Sequence, residues 1–282
     1  MNFWTEFMKI EQLVVHHLRL DTEKDQAQAL HGIEIAGKRS GYPLLFQVGY
    51  NIRNGRKLPE RKDSLELILS PNWNRNKISM VEEVYEAHKK ANLPKYWNIV
   101  KYQVFNPSFV YDLKVQDITH ESFQYCAQIN INGTSAWLGV LIFVEDELAK
   151  KILKKRKEDK ETPEKNEWDL VSDGSIKSKA PLLFLNSTVG EYNMITRIKA
   201  VEFVPMSSHK TIPRYSLTDL HQEFEKMDKH EEYGKKVYKC NRCEYNSYQV
   251  DVSSCERCKK IYYCDDVCKK ADSKNHSYVC HE

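Results

Sequence analysis

The chain has 282 residues, with 43 Lys and Arg against 40 Asp and Glu and a net charge of +3. That mild balance gives no electrostatic footprint for nucleic acid on its own. Hydrophobic residues make up 41% and charged residues 29%, which excludes a disordered chain, and no run of about 18 apolar residues is present to cross a membrane as a helix.

The start, Met1 to Glu6, has no basic segment leading into an apolar run, so an intracellular protein of cytoplasm or nucleus is expected. Residues 1–205 read as one α+β domain, a mostly antiparallel sheet with one or two helices packed on it. Gln12 to Leu20 suits a strand, although Trp4 to Leu18 also fits a helical period. In the strand reading His16 and His17 face opposite sides and cannot enter one site together. Leu44 to Arg53 and Leu65 to Leu69 are strand-like, with Asn54-Gly55 as a turn signal between them. Ile78, Val81, Tyr85 and Ala91 recur on a helical period, which predicts an amphipathic helix over Ser79 to Ala91, ending before Leu93-Pro94.

Four strands are predicted next, Ile99 to Phe105, Phe109 to Val115, Phe123 to Ile131 and Ser135 to Val144. The last two flank Asn132-Gly133, a dipeptide suited to the centre of a tight hairpin turn. Cys126 lies in a strand and reads as a small buried apolar residue. Leu182 to Leu185 and Ile195 to Val204 supply two further strands. Before these two, residues 150–179 read as a solvated insertion: the basic run Lys150 to Lys157 ends a helix, and mixed charges with Pro163 and Asp173-Gly174 follow.

Residues 206–235 read as a linker, Met206 to Pro213, and a connecting helix, Leu217 to about Glu232. Ser216 and Asp219 have capping-box spacing, and Leu217, Leu220, Phe224 and Met227 share one helical face. His209, His221 and His230 lie around this helix and read as solvated. No glycine-rich phosphate loop, G-x-S-x-G or H-E-x-x-H occurs, so no enzyme activity is expected and no catalytic residue is assigned.

Residues 236–282 carry Cys240, Cys243, Cys255, Cys258, Cys264, Cys268, His276 and Cys280. Eight thiol and imidazole ligands complete two tetrahedral sites with no position left for water, the requirement of structural zinc. Disulfides are the competing reading, but two C-x2-C pairs and a histidine in an intracellular chain favour metal. Ten basic against seven acidic side chains over 235–282 leave the segment near neutral once two divalent ions and seven thiolates are included. Spacing alone allows either sequential or interleaved pairing of the ligands.

The ligand order, Tyr263 before Cys264, the Cys264-x3-Cys268 step and His276-x3-Cys280 resemble the MYND-type zinc finger, and Asp272 falls where that family usually has an acid. The resemblance covers residues 240–280. It implies an interleaved pairing, with Cys240, Cys243, Cys264 and Cys268 on one zinc and Cys255, Cys258, His276 and Cys280 on the other. It also implies binding of a protein or peptide partner. Many members read C-Q-x-x-D-W after the sixth cysteine; Lys269 and Ser273 stand here for the glutamine and tryptophan, which removes an aromatic wall of the proline-leucine peptide groove. The expected function is therefore a two-zinc protein–protein interaction module, an adaptor or scaffold. A nucleic-acid-associated regulator, using lysines around 150–157 and 259–270, is the alternative, and an N-terminal enzyme targeted by the finger is a third.

Overall fold

The computed structural model describes residues 2–20, 22–50, 52–53, 56–57, 64–102, 118–132, 135–158, 176–208, 214–217, 219–220, 222, 224, 237–243 and 245–280. Its contacts divide the chain into two units: Met1–Gln103 with Val237–Glu282, and Val104–Lys236 between them. The C-terminal segment thus belongs with the first hundred residues.

The first unit opens with three helices, α1 (Phe3–Met8), α2 (Glu11–Leu20) and α3 (Glu23–Ser40). Asn2 caps α1 by accepting from the Trp4 backbone N–H at 3.1 Å. Thr22 caps α3 by accepting from the Asp25 N–H, and Gly41 ends it at φ 83°, a left-handed position that favours glycine. The strand reading of Gln12 to Leu20 is corrected: α2 buries Glu11, Val14, Val15 and Leu18 on one helical stripe. His16 and His17 are helical neighbours, and His17 Nδ1 lies 3.0 Å from Asp25 Oδ1.

The sheet of this unit has the order β1 (Leu45–Tyr50), β4 (Leu65–Ser70), β5 (Trp97–Lys101), with a short pair β2 (Ile52–Arg53) and β3 (Arg56–Lys57) beyond β1. Asn54-Gly55 lies outside the described residues. Strand β1 runs antiparallel to β4, with Leu45 opposite Ser70. Strand β5 runs parallel to β4, with Leu65 opposite Trp97, because α4 (Ile78–His88) carries the chain back to the same end. The sheet is mixed, which corrects the mostly antiparallel expectation. Phe3 stacks on Phe46 at 5.1 Å, Phe7 meets Trp97 edge-on at 5.2 Å, and Trp4 Nε1 donates to the Val84 carbonyl at 2.8 Å. Buried Glu11 accepts from Tyr96 Oη at 2.6 Å and Trp97 Nε1 at 2.7 Å, as a carboxylate inside a core must.

The second unit has the sheet order β6 (Gln124–Asn132), β7 (Ser135–Val144), β8 (Ile198–Pro205). Strands β6 and β7 form the predicted hairpin, but pairing extends to Asn132 opposite Ser135, so the two-residue link is 133–134, outside the described residues, rather than Asn132-Gly133. Strand β8 is parallel to β7, again after a helical crossover: α5 (Asp146–Glu158), α6 (Ile176–Val189) and α7 (Glu191–Thr196). The predicted strand Leu182 to Leu185 is helical, and Ile195 belongs to α7. Its apolar run is that of a buried helix, with Leu182, Phe184 and Leu185 all enclosed. The predicted strand Phe109 to Val115 lies outside the described residues. Helix α5 takes up the start of the expected insertion and buries Ala149 and Ile152; residues 159–175 are outside the described set. Ser216 and Asp219 exchange backbone-to-side-chain hydrogen bonds at 3.2 and 3.1 Å, and Leu217, Leu220 and Phe224 are buried. His209, His221 and His230 fall outside the described residues. Cys126 is buried against Phe143 and Val204, and burial raises its thiol pKa.

Candidate metal centres

The C-terminal segment folds around two short strands, β9 (Ser253–Ser254) and β10 (Tyr262–Tyr263), and one helix, α8 (Asp266–Ser277). Asp265 starts α8 by accepting from the Cys268 N–H at 2.9 Å. On α8, Cys268, Asp272 and His276 recur every fourth residue and form the buried stripe. Tight turns present the cysteine pairs: Cys240 N–H donates to the Tyr245 carbonyl at 2.8 Å, and Cys255 N–H to the Ile261 carbonyl at 2.7 Å. Lys259 takes a left-handed φ of 56° to complete the second turn.

These elements bring the eight predicted ligands into two groups. Cys240, Cys243, Cys264 and Cys268 form one, and Cys255, Cys258, His276 and Cys280 the other; within each, the ligand atoms lie within 4.8 Å of one another. Each group could hold a metal ion. The pairing is interleaved, since each tetrad takes two ligands from an early turn and two from the second half of the segment.

The distances fit coordination and not disulfides. Cys264 Sγ lies 3.5 Å from both Cys240 Sγ and Cys243 Sγ, and Cys255 Sγ lies 3.9 Å from Cys280 Sγ. A disulfide needs about 2.05 Å, and none of the eight cysteines, all among the described residues, forms one. Two sulfurs each about 2.3 Å from a tetrahedral centre stand about 3.8 Å apart. His276 Nε2 completes the second group, 3.3 Å from Cys255 Sγ and 3.6 Å from Cys258 Sγ, against about 3.6 Å for the corresponding sulfur–nitrogen edge.

The electrostatics favour the thiolate, the form that binds metal, at one cysteine of each group, whereas burial and the neighbouring Cys255 and Cys258 raise Cys280. The Cys258 backbone N–H, with His276 and the Arg257 N–H, lowers the Cys255 pKa to about 6. Cys240 is driven far down by the neighbouring thiols of Cys243, Cys264 and Cys268. Around the ligands, buried Asp272 accepts from Tyr263 Oη and from Asn241 Nδ2, both at 2.7 Å. This carboxylate ties α8 to β10 and to the first cysteine turn. Asp272 was visible in the sequence; Asn241 was not, because a turn asparagine carries no spacing signal. His276 Nδ1 is buried with no hydrogen-bond partner among the described residues.

The segment is also anchored in its own unit. Strand β4 alternates, with Leu65, Leu67 and Leu69 on one face and Glu66, Ile68 and Ser70 on the other. Buried Tyr245, two residues after Cys243, donates its hydroxyl to buried Glu66, which also accepts from Asn98 Nδ2 at 3.3 Å. Lys101 N–H at the end of β5 donates to the Gln249 carbonyl at 3.0 Å, and Asp251 N–H donates to Tyr85 Oη at 3.2 Å. Asp251 also pairs with Lys89 at 2.9 Å. Sequence reasoning missed Tyr245, Gln249 and Asp251, since nothing in their spacing ties them to residues some 150 positions earlier.

No family model, no curated protein and no solved structure matches this chain. No helix among the described residues is long and apolar enough to cross a membrane.

Proposed function

We propose that the C-terminal segment is a MYND-type finger holding two structural zinc ions, and that the protein acts as a protein–protein interaction module, an adaptor or scaffold in an intracellular assembly. The observation that carries this reading is the pair of closed tetrads. Sulfur-rich sets with one imidazole suit zinc over oxygen-seeking cations. With four protein ligands per site, neither ion keeps a position for water or substrate, so the metal builds a surface and does no chemistry. The ligands Cys240, Cys243, Cys264 and Cys268 would hold one ion, and Cys255, Cys258, His276 and Cys280 the other.

Metal analysis of the reduced, purified full chain tests the reading. Two equivalents of zinc per chain are expected, falling to one for Cys280→Ser. One equivalent or none in the unaltered chain contradicts it. Zinc-loaded chain is expected to capture a protein partner from cell extract that chelator-treated chain does not; equal capture by both separates the finger from the interaction.

A further inference from the structure

The C-terminal segment has two outward surfaces, and one is already occupied. Residues 245–251 lie against the sheet and α4 of their own unit through Tyr245, Gln249 and Asp251. The other surface is α8. Apart from Cys268, Asp272 and His276, every residue of α8 is exposed. Eight large hydrophobic side chains are markedly exposed among the described residues, and three lie on α8 or directly after it: Val267 at 40%, Tyr278 at 72% and Val279 at 62%.

Val267 and Tyr278 share one side of the helix by spacing, whereas Val279 falls round toward the ligand side. Val267, Ala271, Lys274 and Tyr278 recur at helical intervals on the side of α8 turned away from the ligand stripe, with Lys270 at its margin. Lys270 and Lys274 are exposed, and neither has an ion-pair partner among the described residues. Lys269, on the next flank, is 3.7 Å from Glu256. Arg257, Lys259 and Lys260 in the second cysteine turn are exposed as well, so exposed cations outnumber the exposed acids Glu256 and Asp266 in this half of the finger.

From this juxtaposition we infer that the outer face of α8 docks an acidic segment of another protein, one carrying an apolar side chain between its carboxylates. The inference rests on the reading of the finger as an interaction module and says where and what it binds. Val267 and Tyr278 give up water only to an apolar partner, and the lysines beside them select the sign of charge around that partner. A nucleic-acid backbone would satisfy the lysines and leave Val267 and Tyr278 facing a polar surface.

The test uses the full zinc-loaded chain and a labelled synthetic peptide alternating glutamate or aspartate with leucine. Its comparators are the same peptide with every acid changed to its amide, a proline-leucine peptide and duplex DNA. The acidic peptide is expected to bind best, with affinity falling between about 50 and 500 mM salt as screening shortens. Lys270→Glu with Lys274→Glu, and separately Tyr278→Ala, are expected to weaken it by roughly tenfold or more, the scale of a lost anchor at an interface. Lys270→Gln with Lys274→Gln, which adds no repulsion, is expected to fall between. Each variant is compared at its measured zinc content. Variants that keep two zinc ions and bind as tightly as the unaltered chain overturn the docking face while leaving the interaction module intact. Equal binding of the amide peptide, or preference for the proline-leucine peptide or DNA, overturns the acidic partner. A chain without two zinc ions overturns both readings.

Discussion

At the scale of single residues, the strongest constraints are carboxylates and rings placed where water is absent. Glu66 is buried in the middle of β4 and is held by Tyr245 of the C-terminal segment and Asn98 of β5. A hydrogen bond to a charged group is worth about 1.5–3 kcal/mol. Tyr245→Phe is therefore expected to lower unfolding free energy by that amount in urea titrations, with the zinc content unchanged. A loss below about 0.5 kcal/mol would mean that this bond does not anchor the segment. His88 gives a pH dependence of defined sign. It sits edge-on to Trp4 with ring centroids 6.1 Å apart and at 4.6 Å from the Tyr85 ring. Burial lowers its pKa, partly offset by the Tyr85 carbonyl. An unfolded histidine gains its proton near pH 6.5, so the folded state resists protonation that the unfolded state accepts. The contribution of neutral His88 is complete above about pH 6.5 and is lost as pH falls through its lowered folded value. Replacing it with Gln is expected to flatten the stability profile between about pH 7 and 5; an unchanged slope would contradict the assignment.

At the scale of elements, both sheets follow one plan: an antiparallel pair, then a helical crossover into a parallel third strand. The strands and α4 were legible because alternation and the 3.6-residue period are local properties. The parallel pairings were not, since they depend on what lies between strands. Leu182 to Leu185 shows the reason. Four apolar residues after Pro181 look like a strand, but here they belong to a helix that accommodates Pro181 in its interior, and a short apolar run carries no period that separates the two. Glycines in α3 make the packing of this layer testable. A Cβ on Gly37 would stand 2.8 Å from the Phe46 ring and from the Tyr42 carbonyl, whereas one on Gly32 meets nothing closer than Ile10 Cδ1 at 3.5 Å. Gly37→Ala is expected to destabilise by about 1–3 kcal/mol through overpacking. Gly32→Ala is expected to be neutral or to stabilise by up to about 1 kcal/mol. Thermal denaturation of the pair checks both, and similar midpoints would show that the α3–β1 contact is looser than described.

At the scale of the whole molecule, the clustering of the eight candidate ligands was legible, because thiols and imidazoles at such spacing serve few other purposes. Their two-by-two interleaving came from resemblance, and the geometry has the same grouping. What the sequence hid was the setting. The segment 237–282 is part of the first unit, its first cysteine turn leading directly into Tyr245 and its following loop into the contacts with β5 and α4. Metal binding and folding are one equilibrium in small metal domains, and the Tyr245–Glu66 and Lys101–Gln249 hydrogen bonds would carry that equilibrium into a sheet with no candidate ligand of its own. Amide hydrogen exchange across Leu65–Ser70 and Trp97–Lys101, measured on the zinc-loaded chain and again after chelation, tests this most directly. The account predicts two zinc ions lost and protection of these strands falling with them, while β6 and β7 in the second unit keep theirs. Unchanged protection of β4 and β5 in the metal-free chain would contradict it.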